Sequence, residues 1–325
     1  MTADNPSWRP GADLAVMQQR ARMLQQLRAF FAPRGVLEVE TPILQHHAVT
    51  DVHIDSLRVP LDGTDGYLHS SPEYPMKRLL AAGSGPVYQV CRVFRAGEAG
   101  RRHNPEFSLL EWYRPGFDHH ALMQELDDLI RVLLADAVSL EQTLRLDYRE
   151  LFRRYLQLDP FTCSLAELQQ QARQQRIDLA DNRNMDRDGW LDLLLTHVIE
   201  PRLPANRPVF VYDYPASQGA LARLQQQDDI TVASRFELYI NGLELANGYH
   251  ELLDPNEQRQ RFERDQQQRR QQGRRVPDID EKFLAALEHG LPDCAGVALG
   301  IDRLLMIATG KDDIRDVLSF SSERI

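Results

Sequence analysis

The sequence predicts an α+β fold, an antiparallel sheet flanked by helices, and three stretches carry that prediction. PVYQVCRVFR (86–95) is strand-like, the polar, glycine-bearing turn AGEAGRRHN (96–104) follows, and a second strand runs from Phe107 to Arg114. Together they form a long antiparallel hairpin. RFELYINGLELANGYHEL (235–252) reads as a second hairpin with Asn241-Gly242 as its tight turn. GVALGIDRLLMIATG (296–310) passes from a glycine-flanked strand into a helix that ends at Gly310. Antiparallel strands with helices between them are the α+β pattern.

The other elements follow in chain order. Leu14, Met17, Ala21, Leu24, Leu27 and Phe31 recur at spacings of three and four, so residues 14–34 are helical, with Gly35 as the C-terminal cap. A short strand, Val36 to Val39, runs into Thr41-Pro42. Ser71-Pro72-Glu73 starts a helix, with Ser71 as N-cap and Pro72 at the first helical position, and that helix ends near Gly83. Residues 120–200 are mostly helical, with the polar stretch 178–189 as a surface loop. Residues 257–275 carry seven arginines against three acids, which reads as a solvated helix face or as a docking surface for an acidic partner.

Composition narrows the function classes. With 42% hydrophobic and 26% charged residues the chain is an ordinary globular sequence. A net charge of -10 makes it a poor general binder of nucleic acid or anionic membrane. Its three cysteines form no CxxC pair, so neither a zinc knuckle nor a disulfide framework is expected. No signal peptide and no apolar run near the roughly 18 residues of a membrane span is present, so the expected compartment is the cytoplasm. Neither a P-loop nor a GxGxxG fingerprint occurs.

One residue does not fit its strand. Read with period two, Phe107, Leu109, Glu111 and Tyr113 share a face. A carboxylate among them is costly unless a cation meets it, either a protein Arg or Lys or a ligand ammonium. The turn of this hairpin holds Arg101, Arg102 and His103, with Arg95 and Phe107 at its base. That set suits a nucleotide, an aromatic ring for the base and arginines for phosphate, or else it is a solvated surface turn. Glu244 and Glu251 flank LANGYH and suit Mg²⁺ beside a nucleotide. Seven residues apart, they share a site only where the strand bulges or ends at Asn247-Gly248; otherwise one of them is a solvated face charge. Glu73 also suits the first turn of a helix through the macrodipole. Gly300, Asp302 and Arg303 sit where a strand meets a helix start.

These pieces together resemble class II aminoacyl-tRNA synthetases, and most closely the lysyl branch. GVLEVETPIL looks like motif 1, VFRAGEAGRRHNPEFSLLEWY like motif 2 and GVALGIDRLL like motif 3, while SPEYPMKRLL, ELANGYHEL and IRDVLSF also match the lysine branch. The similarity runs from about residue 15 to 320. Motif 1 begins near the N-terminus, so the resemblance implies a single catalytic domain over 1–325 without an anticodon-binding domain. It points to the short paralogues of lysyl-tRNA synthetase that activate (R)-β-lysine with ATP and join it to a lysine side chain of translation elongation factor P. A homodimer, Mg²⁺ as cofactor, no membrane and no tRNA partner are implied as well.

Carried onto this sequence, the resemblance gives each residue a role. Arg95 bridges the amino-acid carboxylate and the α-phosphate. Phe107 and Arg303 sandwich adenine, Arg303 also meeting the γ-phosphate. Asn104, Leu245 and Gly300 line the nucleotide site, and Glu98 or the backbone of Gly97 meets the adenine amino group. Glu244 holds Mg²⁺ together with Glu251. Glu251 and Tyr113 take the ε-ammonium, Ser71, Pro72 and Glu73 line the end with the other amine, Asn247 positions the carboxylate, and Glu111 faces the same pocket.

The sequence also departs from the pattern. Arg95-Ala96-Gly97-Glu98 stands where the synthetases read Arg-Asn-Glu, and Tyr249 stands where phenylalanine is usual. Ala298 replaces a glycine at the floor of the amino-acid pocket; its methyl crowds an α-amino group and spares one moved a carbon along, worth about 1–3 kcal/mol. Three other readings compete. A lysine ligase that charges an RNA acceptor uses the same pocket. An amide synthetase of the asparagine-forming type needs cations where this chain has Glu73, Glu111 and Glu251. A regulatory paralogue should have lost Arg95, Arg303 or Glu244, and all three are present.

Overall fold

The computed structural model describes residues 8–177 and 185–325. Helix α1 (Leu14–Phe31) is capped by Asp13, whose side chain accepts from Val16 N, and a 3₁₀ turn to Arg34 leads to Gly35 at φ +65°. Strand β1 (Leu37–Glu38) follows, then β2 (Leu44–Gln45) and the hairpin β3 (Leu57–Leu61)/β4 (Thr64–Leu68). Helix α2 (Glu73–Ala81) leads to β5 (Val87–Phe94) and β6 (Glu106–Pro115), and α3 (His119–Leu134) comes next. Strand β7 (Leu144–Asp147), helices α4 (Tyr148–Leu156), α5 (Leu165–Gln174) and α6 (Arg187–Leu194), and β8 (Val209–Pro215) form the middle of the chain. Strands β9 (Leu224–Gln227), β10 (Ile230–Ile240) and β11 (Leu243–His250), helices α7 (Pro255–Gln271) and α8 (Glu281–Gly290), β12 (Cys294–Gly300) and α9 (Ile301–Thr309) complete it.

The main sheet runs β1-β5-β6-β12-β11-β10-β8-β7, with β9 added beside β10, and β2, β4 and β3 form a small second sheet. All main-sheet pairs are antiparallel except β1 with β5 and β7 with β8. The two predicted hairpins are therefore neighbours in space, and β12 is the strand laid between them. One face of the sheet is apolar. Leu110, Trp112, Phe210, Phe236, Leu238, Ala246, Val297 and Leu299 are buried there against α1, α3 and α9, each larger side chain contributing roughly 1.5–3 kcal/mol. Asp302 fixes α9 to this layer: it accepts from Ser108 N at 2.6 Å and pairs with Arg20 of α1. The predicted tight turn is present, with Asn241 and Gly242 at φ +55° and +65°.

Several expectations change. Ser71 does cap α2, its Oγ accepting from Glu73 N at 3.0 Å, but the helix starts at Glu73, one residue later than predicted, because Pro72 sits at φ -80° and ψ 12°. The stretch 120–200 contains strand β7, which joins the sheet edge beside β8. Residues 178–184 of the expected 178–189 loop lie outside the described residues, and 187–189 already belong to α6. The arginine-rich segment is a helix with one solvated face, where Glu263, Arg264 and Arg270 are exposed, but its other face is packed. Arg269 is buried and donates to Thr50 O at 3.1 Å and to Ile54 O at 2.5 Å, and Arg261 donates to the carbonyls of Ala220 and Ala222 at 2.7 and 2.8 Å. These guanidinium groups satisfy loop carbonyls that have no sheet partner.

Candidate active site

The sheet register sets the site. Gln89, Glu111, Ala298, Asn247 and Glu237 lie in one row across five strands, and Val87, Tyr113, Gly296, Tyr249 and Arg235 form the next row. Both rows lie on the face opposite the helical core. Glu111 therefore belongs to a polar platform, and Ala298 sits between Glu111 and Asn247 as a low floor. Gly296 is required for a similar reason: a Cβ there would run into the Tyr113 ring and lie 2.5 Å from Glu251 Oε1.

Helix α2 brings charges over this platform. Ser71 Oγ donates to Glu111 Oε2 at 2.8 Å and Tyr113 OH donates to Glu111 Oε1 at 2.7 Å. Glu111 has hydroxyls as its direct partners, not a cation, and burial followed by repulsion from Glu73 pushes its carboxyl up to about 7. The cation is Lys77, which sequence reasoning missed. It is 1% exposed and lies 2.6 Å from Glu73 and 2.5 Å from Glu251. Burial works against its charge, yet the two carboxylates more than offset this and hold it above the ordinary lysine range. Glu251 is itself pushed up to about 8, by burial first, and its Oε1 accepts no hydrogen bond from the described residues. Three carboxylates thus face one ammonium, a formal charge of -2 at a nearly dry site.

The parity problem of Glu244 and Glu251 is solved by a bulge, but not at the predicted place. Tyr239 pairs with Glu244 and Leu238 with Ala246, so Leu245 is the extra residue, two positions before the expected break at Asn247-Gly248. The bulge turns Glu244 to the platform face and sends Leu245 into the core. Glu251 follows the end of β11. Because Lys77 holds Glu251, Glu244 is the carboxylate left available to a metal: its side chain is 40% exposed and 3.6 Å from Arg303. A single open carboxylate beside phosphate oxygens suits Mg²⁺. Glu200 is close enough to feel Glu244 and Glu237, and burial first, then these charges, push it up to about 7.

At the other end of the platform stand the arginines. Arg95 lies 5.1 Å over the Phe107 ring and 3.9 Å from Glu98, and its Nε is buried without a partner. Gly97 takes φ +78°, a left-handed position in the hairpin turn. Arg303, in the first turn of α9, donates to Glu244 O at 2.8 Å, and its Nη2 lies 2.8 Å from His103 Nε2. Gly300 leaves ordinary space above it, since a Cβ there would lie 3.7 Å from Leu245 O. Asn104 is engaged at both ends of its side chain. Its amide donates to Glu106 O at 2.6 Å and its Oδ1 accepts from Ser322 N at 3.0 Å, so both ends of the carboxamide hold the C-terminal segment against the hairpin.

A supporting layer was also missed. Arg235 Nε donates to Asn247 Oδ1 at 3.3 Å and its Nη2 to Glu237 Oε1 at 2.5 Å. Glu237 Oε2 accepts from Tyr214 OH at 2.6 Å and from Tyr239 OH. With Oδ1 occupied by Arg235, the Asn247 amide N–H groups are the ones free to point elsewhere.

The sequence matches the family described as tRNA synthetases class II (D, K and N) over residues 9–324. Relatives named elongation factor P–(R)-β-lysine ligase are 47% identical in Pectobacterium carotovorum subsp. carotovorum and 49% identical in Haemophilus influenzae, each aligned over 99% of both chains. The protein of that name in Pseudoalteromonas translucida is 49% identical over 98% of both chains. With the motif-bearing hairpins adjoining β12 and the match spanning nearly the whole sequence, this chain belongs to the class II tRNA synthetase family of the aspartyl, lysyl and asparaginyl type.

Proposed function

We propose that this protein activates (R)-β-lysine with ATP and transfers it to a lysine side chain of translation elongation factor P. The observation that carries the substrate is the charge balance of the pocket. Glu73, Glu111 and Glu251 against Lys77 leave two formal negative charges, and β-lysine brings two ammonium groups. The names of the relatives supply the acceptor.

In the first step the substrate carboxylate oxygen attacks the α-phosphorus in line, the bond to the β-phosphate oxygen breaks, and pyrophosphate leaves. Two anions must meet, so the protein has to supply positive charge and alignment. Arg95 bridges the carboxylate and the α-phosphate, its Nε being buried without a protein partner. Phe107 and Arg303 hold adenine, and Glu98 or Gly97 meets its amino group. Glu251, Tyr113 and Glu111 hold one ammonium, Ser71 and Glu73 the other, and Asn247 fixes the carboxylate. Mg²⁺, held by Glu244, would neutralise phosphate charge. In the second step a neutral lysine amine of the acceptor attacks the acyl carbon and AMP leaves.

We also propose a single catalytic domain, a cytoplasmic location and a homodimer. Leu37, Ile43 and Leu44 of the first motif are exposed apolar residues that a second copy would cover. No helix among the described residues is long and apolar enough to cross a membrane. The net charge of -10 disfavours tRNA as acceptor. The test offers elongation factor P and tRNA together with labelled (R)-β-lysine and ATP. Label on the factor supports the proposal, and label on tRNA replaces it with the RNA-charging reading.

A further inference from the structure

On the sheet face opposite the lysine pocket, a second group of ligating side chains comes together. His119 and His120 open α3, and Asp213 lies on β8. One ring nitrogen of each histidine and a carboxylate oxygen of Asp213 all lie within 4.8 Å of one another, the one such group among the described residues. We propose that this group binds a divalent transition-metal ion of the zinc class, independently of the catalytic site.

Three observations support the assignment. Asp213 has φ +58°, in the left-handed region, where β8 meets an irregularity in β10. Such a conformation is costly for a non-glycine residue. Here it breaks the alternation of the strand, so that Asp213 joins Tyr212 on the helical side: Tyr212 packs on His120 at 5.2 Å and Asp213 lies 3.1 Å from His119 Nε2. Next, two amides orient the carboxylate. Gln227 donates to Oδ2 at 2.6 Å and Gln225 to Oδ1 at 3.3 Å, the outer-layer support that metal-ligating carboxylates usually have. A carboxylate accepts about four hydrogen bonds, so a lone pair remains free. Last, His119 is 2% exposed and its Nε2 faces the Asp213 carboxylate at 3.1 Å, so a buried ring nitrogen already points into the group.

Two imidazoles and a carboxylate with water in the fourth position form a typical open site for Zn²⁺ or Co²⁺, and a poor one for Mg²⁺. Tetrahedral ligation with arms of about 2.0 Å brings donors closer than the triangle seen here, so binding draws the three side chains inward. His120 is exposed, which leaves the ion a path from solvent. Nearby, His250 Nε2 is engaged by Asp293 at 2.8 Å and is not part of the group.

The test uses the full chain stripped with EDTA. Titration with Co²⁺ should produce visible d–d absorption that saturates at one ion per chain, and calorimetry with Zn²⁺ should give the same stoichiometry. His120→Ala, a surface change, should weaken binding by at least about tenfold and leave pyrophosphate exchange unchanged. His250→Ala should bind like the wild type. Absence of stoichiometric binding, equal binding by His120→Ala, or loss in His250→Ala instead would overturn the assignment.

Discussion

Replacing Glu111 with glutamine should stabilise the protein at alkaline pH while destroying amino-acid activation. Glu111 is 3% exposed, and burial with the neighbouring Glu73 raises its carboxyl from 4.5 to about 7. The folded state therefore holds a proton that the unfolded chain has released between those values. That preference favours the fold at low pH and is lost as pH rises through about 7. At about 1.4 kcal/mol per unit the loss is roughly 3 kcal/mol. Glutamine carries no such cost. It can accept from Ser71 or Tyr113 but not from both as strongly as a carboxylate, which costs about 1 kcal/mol per bond. The variant should match or fall slightly below the wild type at pH 5 and exceed it by about 2 kcal/mol at pH 8, a relative swing of roughly 2.5 kcal/mol. Glu251 titrates in both proteins and largely cancels. Thermal melts of the pair at pH 5, 6.5 and 8 read this directly, at roughly 2 °C or more per kcal/mol. A difference in melting temperature that does not change with pH would refute the buried, high-pKa assignment of Glu111.

Four further outcomes are expected. Binding of the diammonium substrate requires ionised Glu111 and Glu251, raised to about 7 and 8, so affinity should fall as pH drops below 7 and binding at pH 7 should release protons; calorimetry in buffers of different ionisation enthalpy measures both. Lys77→Met leaves the buried Glu251 and the half-buried Glu73 without their cation and should cost about 3–5 kcal/mol, seen as a large fall in melting temperature. Gly296→Ala forces a methyl against Tyr113 and Glu251 and should abolish amino-acid-dependent pyrophosphate exchange while ATP binding, measured by a fluorescent analogue, survives. Arg95→Ala removes the cation beside Phe107 and should lower exchange by at least about a hundredfold with the fold unchanged by circular dichroism.

What the sequence makes legible here is whatever breaks a local rule. The two hairpins show in their alternation and in Asn241-Gly242, and Glu111 shows because a carboxylate interrupts an apolar face. Gly296 marks a floor that only the neighbouring strand explains. Lys77 is invisible by the same logic: a lysine in a helix is ordinarily solvated, and only the folding of α2 over β11 buries it against Glu251. Arg235 and Glu237 alternate with apolar residues as any half-exposed strand would, so their role in holding Asn247 depends on β10 lying beside β11. The bulge at Leu245 could not be placed from spacing, because a parity conflict shows that a break is needed without saying where. The small β3/β4 hairpin and the edge strand β7 leave little trace, being short, and the pairing of β7 with β8 joins segments far apart in the sequence.

In the proposed reaction, two unmatched carboxylates select a substrate with two ammonium groups. The most direct test is ATP–pyrophosphate exchange with (R)-β-lysine beside two analogues, one lacking the terminal ammonium and one lacking the β-ammonium. Either loss leaves a buried carboxylate uncompensated, at about 3–5 kcal/mol, so each analogue should be more than about a hundredfold poorer in kcat/KM. Exchange within a few-fold for either analogue would show that its ammonium meets no buried charge, and the charge-balance account of this pocket would fail.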